Sequence, residues 1–228
     1  MLNKAAILIS AHSEWRAVLA FYQPEKLSPT PYQESFELEI AGWNCRFVFE
    51  GVGKIAAAAA TQYEIDTWKP DLIVNLGTCG GIAGQIAQGT ILLVNETLVY
   101  DIYERMGDPD EPIRRYTTHM ELGFLNEPYP IDVARGRLLS ADQDLDPAQI
   151  PYLIEKYQAV AVDWESSSIA WVAAHNHTPC LILRGVTDLV EPQGGESYGL
   201  LELYHSRTRE VMPVLLESLP GWLQQVHL

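Results

Sequence analysis

Asp71-Leu72-Ile73-Val74-Asn75-Leu76-Gly77-Thr78-Cys79-Gly80-Gly81 decides the fold. Its first six residues are a short, strongly apolar run, which predicts a strand buried on both faces. Glycine-rich sequence follows at once and predicts a tight turn at the strand's carboxyl end. Upstream, Gly51-Val52-Gly53 opens a predicted helix through the alanine run Ala56–Ala60 that ends near Trp68. Alanine at that density favours helix and allows it to lie close on a sheet.

The same alternation extends in both directions. Ala5 to Ser10 predicts a buried strand, and Ser13 a cap for a helix through Ala17, Val18 and Leu19. Phe36, Leu38 and Ile40 alternate with polar residues, and with Cys45–Glu50 they predict a β-hairpin. Downstream, Thr90–Val94, Thr97–Tyr100, Arg137–Ala141, Ala159–Val162 and Cys180–Val186 predict strands. Helices are predicted over Pro147–Tyr157, Ser166–His175 and Leu200–Leu216, with Pro213 expected to kink or divide the last. This order predicts an α/β domain with a central, largely parallel sheet covered on both faces. Asp101–Pro130 is the least regular stretch and reads as a long excursion or a lid. With no linker or repeat, residues 1–228 read as a single domain.

Composition narrows the function. Fifteen basic residues against 30 acidic ones give a net charge of −15, which repels phosphate backbones and argues against nucleic-acid or anionic-membrane partners. Cys45, Cys79 and Cys180 are odd in number and widely spaced, so neither a disulfide framework nor a metal site is expected. Reduced thiols fit a cytoplasmic protein. The N-terminal apolar run, Ala5–Ile9, is too short for a signal peptide or a membrane span.

In open α/β sheets ligands sit beyond the carboxyl ends of strands. The polar or glycine-rich segments expected there are His12-Ser13-Glu14, Gly77–Gly81, Asp142-Gln143-Asp144, Asp163-Trp164-Glu165 and Thr187-Asp188. Gly77–Gly81 can bring backbone N–H groups and the Thr78 hydroxyl close to a ligand, although an ordinary turn is the plainer reading. Glu165 opens a helix, where an acid is favoured by the helix dipole; it can equally accept hydrogen bonds from vicinal hydroxyls. Asp188 ends a buried apolar stretch, which raises a carboxyl pKa and suits a proton donor, but a turn aspartate reads the same way.

Taken together, four segments change the odds: Gly51-Val52-Gly53-Lys54-Ile55-Ala56-Ala57, Asn75–Gly81, Val162-Asp163-Trp164-Glu165-Ser166 and Arg184-Gly185-Val186-Thr187-Asp188. Their set, order and spacing resemble the purine nucleoside phosphorylase/nucleosidase superfamily, most closely its 5′-methylthioadenosine/S-adenosylhomocysteine nucleosidases. The resemblance implies a three-layer α/β/α sandwich around a mixed, partly closed sheet, a homodimer, and neither metal nor organic cofactor. It implies hydrolysis of a purine nucleoside to free base and a ribose derivative. Asp188 then matches the acid at purine N7, Thr187 its hydroxyl neighbour, and Glu165 the carboxylate on the ribose hydroxyls. Thr78 matches a serine near the nucleophile, and Gly80 a backbone contact.

The departures are specific. The family's hydrolases carry a glutamate after the first strand that activates water; an ungapped count puts Trp15 there, and a shift of one residue brings in Glu14. Glu14 is the candidate base, with His12 second; the plainer readings are a solvent-facing first-turn acid and a turn histidine. Asp144 stands where the family has a purine-stacking phenylalanine, and Trp164 replaces a smaller residue beside Glu165. Phosphorylases place an arginine before the glycine turn, where Asn75 and Leu76 stand here, which favours water as nucleophile. Arg16 and Arg46 are the remaining phosphate-binding candidates and read more simply as surface charges. A phosphorylase and a non-catalytic nucleoside-binding protein are the alternatives.

Overall fold

The computed structural model describes residues 2–228. In chain order the elements are β1 (Asn3–Ile9), α1 (His12–Tyr22), β2 (Ser28–Pro29), β3 (Glu34–Ile40), β4 (Trp43–Phe49), α2 (Lys54–Thr67), β5 (Leu72–Ile82) and β6 (Ile91–Val99). They continue with α3 (Glu111–Arg115), β7 (Thr117–His119), β8 (Ala134–Ser140), α4 (Ile150–Tyr157), β9 (Ala159–Asp163), α5 (Ser166–His175), β10 (Cys180–Glu191), β11 (Gly194–Gly195) and α6 (Leu201–Gln225).

All the longer strands form one sheet of order β11-β10-β6-β8-β9-β5-β1-β4-β3-β2, and β10 also pairs with β5. That extra pairing closes β10, β6, β8, β9 and β5 into a ring. Pairing is parallel for β5–β10, β1–β5, β6–β8 and β8–β9 but antiparallel for β6–β10 and β5–β9. The sheet is therefore mixed and partly closed, as the family resemblance implies, and less parallel than the element order predicts.

Alternating side chains of β1 divide the core. Ala5, Ile7 and Ile9 pack with Trp15 and Val18 of α1 and Val211, Met212 and Leu215 of α6. Ala6 and Leu8 pack with Ala57 of α2 and Ile169, Ala170 and Ala173 of α5. This gives the α/β/α layering. Each fully buried Ile or Leu contributes about 1.5–3 kcal/mol.

Several local expectations are corrected. The Gly77–Gly81 segment is not a turn, because β5 runs through it to Ile82. Glycine serves close approach at Gly77, where a Cβ would lie 1.9 Å from Arg184 Nη1. Asp188 likewise lies inside β10, beside a bulge at Thr187, where the register against β5 shifts. Thr90–Val94 and Thr97–Tyr100 belong to one strand, β6, which bulges between Val94 and Glu96.

Helix boundaries also differ. The N-cap of α1 is Ala11, and the Glu14 carboxylate accepts the Ala11 N–H at 3.0 Å, which leaves Ser13 inside the helix. α6 continues through Pro213 and Pro220 to Gln225. Buried Leu215, Leu216, Leu219, Trp222 and Leu223 hold it despite the missing donors. The Asp101–Pro130 excursion carries α3 and β7, which pairs with β6, and Leu125 bridges to Val226. Among the described residues, no helix is long and apolar enough to cross a membrane.

Candidate active site

The carboxyl ends of β1, β5, β8, β9 and β10 meet at a cavity of about 740 Å³. Its lining includes Glu14, Thr78, Gly80, Asp144, Trp164, Glu165, Thr187 and Asp188. Those eight residues, spread over most of the chain, are the ones singled out from sequence. No residue of the Asp101–Pro130 excursion lines the cavity, which argues against the lid reading for this conformation.

Glu14 sits on the first turn of α1 and is only 2 % exposed, so it is not a solvent-facing acid. Its Oε1 accepts the backbone N–H of Thr78 at 2.6 Å and the Thr78 hydroxyl at 2.8 Å. Trp15 turns the other way into the core, stacks on Phe49, and donates its indole N–H to Glu34 at 2.6 Å. Glu14 therefore lines the cavity and Trp15 does not, because successive helix residues face about 100° apart.

Beneath Glu14 lies a fully buried cation, Arg184. Its guanidinium meets Asp163 Oδ2 at 2.9 Å, donates to Asn75 Oδ1 at 2.7 Å and to Ser166 Oγ at 2.9 Å, and lies 4.0 Å from Glu14 Oε1. Burial works against its charge, but Asp163, Glu14 and Glu165 hold the guanidinium above its ordinary pKa. One buried cation thus serves several acids.

Glu165 is placed by two helices. It is the N-cap of α5, and its Oε1 accepts the backbone N–H of Gly53 at the start of α2, at 2.8 Å. Gly53 has φ of +93°, a conformation that suits glycine and aims that N–H at Glu165. The next N–H, of Lys54, donates to Asp142 at 2.8 Å, and the Lys54 ammonium pairs with Asp101. Burial pushes the Glu165 carboxyl well above the usual carboxylate range, Asp163 adds to the rise, and Arg184 and the Gly53 N–H oppose it.

Asp188 projects from the β10 bulge. Its carboxyl is raised by burial, while the Thr187 hydroxyl, at 2.7 Å from Oδ1, and the more distant Arg207 pull it back. A split between one raised and one ordinary carboxyl is therefore not built into the free site, because burial raises both Asp188 and Glu165.

Other expectations resolve by position. Asp144 is exposed on the loop after β8, and Trp164 is half-buried beside Glu165. His12 is exposed, edge-on to Phe49, and outside the cavity lining. Arg16 is exposed and Arg46 pairs with buried Glu64 at 3.4 Å, so neither reaches the cavity. Sequence reading missed Tyr198 and Tyr204 in the lining, and the Arg184–Asp163 pair beneath it. Tyr198 lies near both Asp144 and Asp188 and donates to the Leu145 carbonyl. The tyrosines follow no local motif; the arginine shows only as a charge interrupting an apolar run.

The family model for the phosphorylase superfamily matches residues 31–213. A 5′-methylthioadenosine/S-adenosylhomocysteine nucleosidase of Buchnera aphidicola is 27% identical over 188 residues, covering 76% of this chain and 78% of the relative. The solved futalosine hydrolase of Helicobacter pylori superposes with a TM-score of 0.81 at 16% identity, covering 99% of each chain. A methylthioadenosine/adenosylhomocysteine nucleosidase from Colwellia psychrerythraea, solved with adenine, gives 0.77 at 21% identity over 98% of this chain and 96% of that one. With the family model spanning most of its length and a nucleosidase-like α/β/α fold behind the cavity, this chain belongs to the phosphorylase superfamily.

Proposed function

We propose that this protein hydrolyses the N-glycosidic bond of a purine nucleoside of the methylthioadenosine or adenosylhomocysteine type. One observation carries the reading. Glu14, Glu165 and Asp188 converge on a single cavity of nucleoside-compatible size, and among the described residues no lysine, arginine or histidine lines it. The likeness to proteins named as methylthioadenosine/adenosylhomocysteine nucleosidases supports the same choice.

Departure of the base puts negative charge on the purine and positive charge on the sugar. A neutral Asp188 donates its proton at N7; Thr187, donating to Oδ1, leaves Oδ2 to carry that proton. Glu165 accepts the ribose hydroxyls, and those donors favour its ionised form, opposing the burial that raises it. The anionic lining stabilises the oxocarbenium-like sugar. Glu14, held by Thr78 and Ala11, takes a proton from the attacking water. Thr78 and Gly80 shape the floor beside it, and Asp144 and Trp164 bound the base and sugar ends.

Phosphorolysis would need a cation for phosphate. The buried Arg184 is engaged by Asp163, Asn75 and Ser166 and is 0% exposed, which argues for water. The test is incubation with a panel of purine nucleosides, with and without phosphate, and identification of products by mass. Free base released without phosphate is expected; strict phosphate dependence with a sugar 1-phosphate product overturns the reading, and ligand-dependent stabilisation without turnover would indicate a binding protein.

We further infer a single-domain, cytoplasmic homodimer. The three cysteines are free and buried, and Val52, Ile55, Leu200 and Leu201 expose apolar surface at and near the cavity rim, which supports a second copy there.

A further inference from the structure

We propose that Tyr204, on the first turn of α6, holds the attacking water against Glu14. The proposal rests on the hydrolase reading above and adds a residue to it. Tyr204 lines the cavity, and its phenol oxygen lies 3.4 Å from Thr78 Oγ1 and accepts the Ser13 hydroxyl at 3.2 Å. The single proton of Thr78 goes to Glu14 Oε1 at 2.8 Å. The hydroxyls therefore point one way: Ser13 donates to Tyr204, Tyr204 to Thr78, and Thr78 to Glu14.

The weakest link in that chain is the 3.4 Å contact, longer than an ordinary O–H···O bond. The phenol proton is accordingly free to turn to a better acceptor at little cost. A water that gives one proton to Glu14 offers such an acceptor in its oxygen. Burial, reinforced by the charge of Glu14, raises the phenol pKa, so Tyr204 remains a donor throughout the working pH range. In the reaction the water oxygen bonds to C1′, its proton passes to Glu14, and the C1′–N9 pair goes to the purine, which takes the Asp188 proton. Tyr204 keeps its proton and fixes the direction of attack.

The test is Tyr204→Phe assayed in water and in aqueous methanol. The expected result is a fall of about tenfold in kcat for hydrolysis with KM within about twofold, from loss of one hydrogen bond to the nucleophile. The fraction of methyl glycoside among the products should rise, because the variant no longer favours water over methanol. A merely structural defect would lower both routes equally and leave that fraction unchanged, which would overturn the proposal, as would a normal kcat. Ser13→Ala supplies a second arm that keeps the ring and removes its orienting donor. It should shift the partition in the same direction by less, and it decides alone if Tyr204→Phe does not fold. A wild-type protein that releases no free base would overturn the hydrolase reading and this assignment together; an active wild type with unaltered partition in both variants overturns this assignment alone.

Discussion

Glu14 and Thr78, 64 residues apart, are joined by two hydrogen bonds to one carboxylate oxygen, 2.6 Å from the backbone N–H and 2.8 Å from the hydroxyl. The second oxygen is tied to the Ala11 N–H at 3.0 Å. The carboxylate is fixed from both sides while lining the cavity. Glu14→Gln keeps the acceptor for Thr78 but removes the base. Its kcat should fall by about 10²–10⁴-fold while the protein still folds, with a modest drop in melting temperature because the amide NH2 cannot accept the Ala11 N–H; an unaffected rate would mean that water is activated elsewhere.

Asp188 must carry a proton to act, and burial raises its pKa. The active form is therefore favoured at low pH and is lost as pH rises through the raised value. The wild-type rate should fall on the alkaline side. Asp188→Asn should lose most activity, keep its fold, and lack that alkaline limb. Near-normal turnover in the variant would reject Asp188 as the acid.

Glu50 is fully buried, accepts the Ser10 hydroxyl at 2.6 Å, and has no partner on its other oxygen. Burial raises its pKa from 4.5 to about 7. A group raised on folding adds stability below its unfolded pKa and loses it as pH rises through the folded value. Ionisation of Glu50 should thus erode stability between about pH 4.5 and 7, by roughly 3 kcal/mol for a shift of that size. Glu50→Gln should become progressively more stable than wild type across that window in thermal melts. Parallel melting curves would show that Glu50 does not titrate there.

Gly77 and Gly80 lie on one strand and make opposite predictions. A Cβ at Gly77 would fall 1.9 Å from Arg184 Nη1 and 2.9 Å from Glu14 Oε1, whereas one at Gly80 meets only Val162 at 3.7 Å and Val190 at 4.0 Å. Gly77→Ala should destabilise by about 1–3 kcal/mol or more in denaturant unfolding. Gly80→Ala should fold normally and raise KM by crowding the cavity. Equal stability of the two variants would contradict the close packing of Arg184 on β5.

Much of this was legible in the chain because apolar runs mark strands and alanine density marks α2. The hairpin was legible too, and its turn at Ala41 and Gly42, both with positive φ, joins β3 to β4 as expected. What misled were glycines and bulges. Gly77–Gly81 has the composition of a turn, but here Gly77 makes room for Arg184 across the sheet, a demand set by a residue more than a hundred positions away, and Gly81 for Val186, Ile86 and Leu189. Likewise β6 reads as two strands because a bulge breaks its pattern without ending its pairing. The acids at strand ends were visible as local segments. Tyr198 and Tyr204 were not, because only the packing of α6 and its preceding loop over the sheet brings them to the cavity.

The central claim is that water attacks the sugar while Asp188 protonates the base. The most direct measurement is turnover of a purine nucleoside in ¹⁸O-labelled water without phosphate, followed by mass analysis of both products. One labelled oxygen in the sugar product and none in the base is the expected result. A sugar without label, or base release only when phosphate is supplied, would contradict the account.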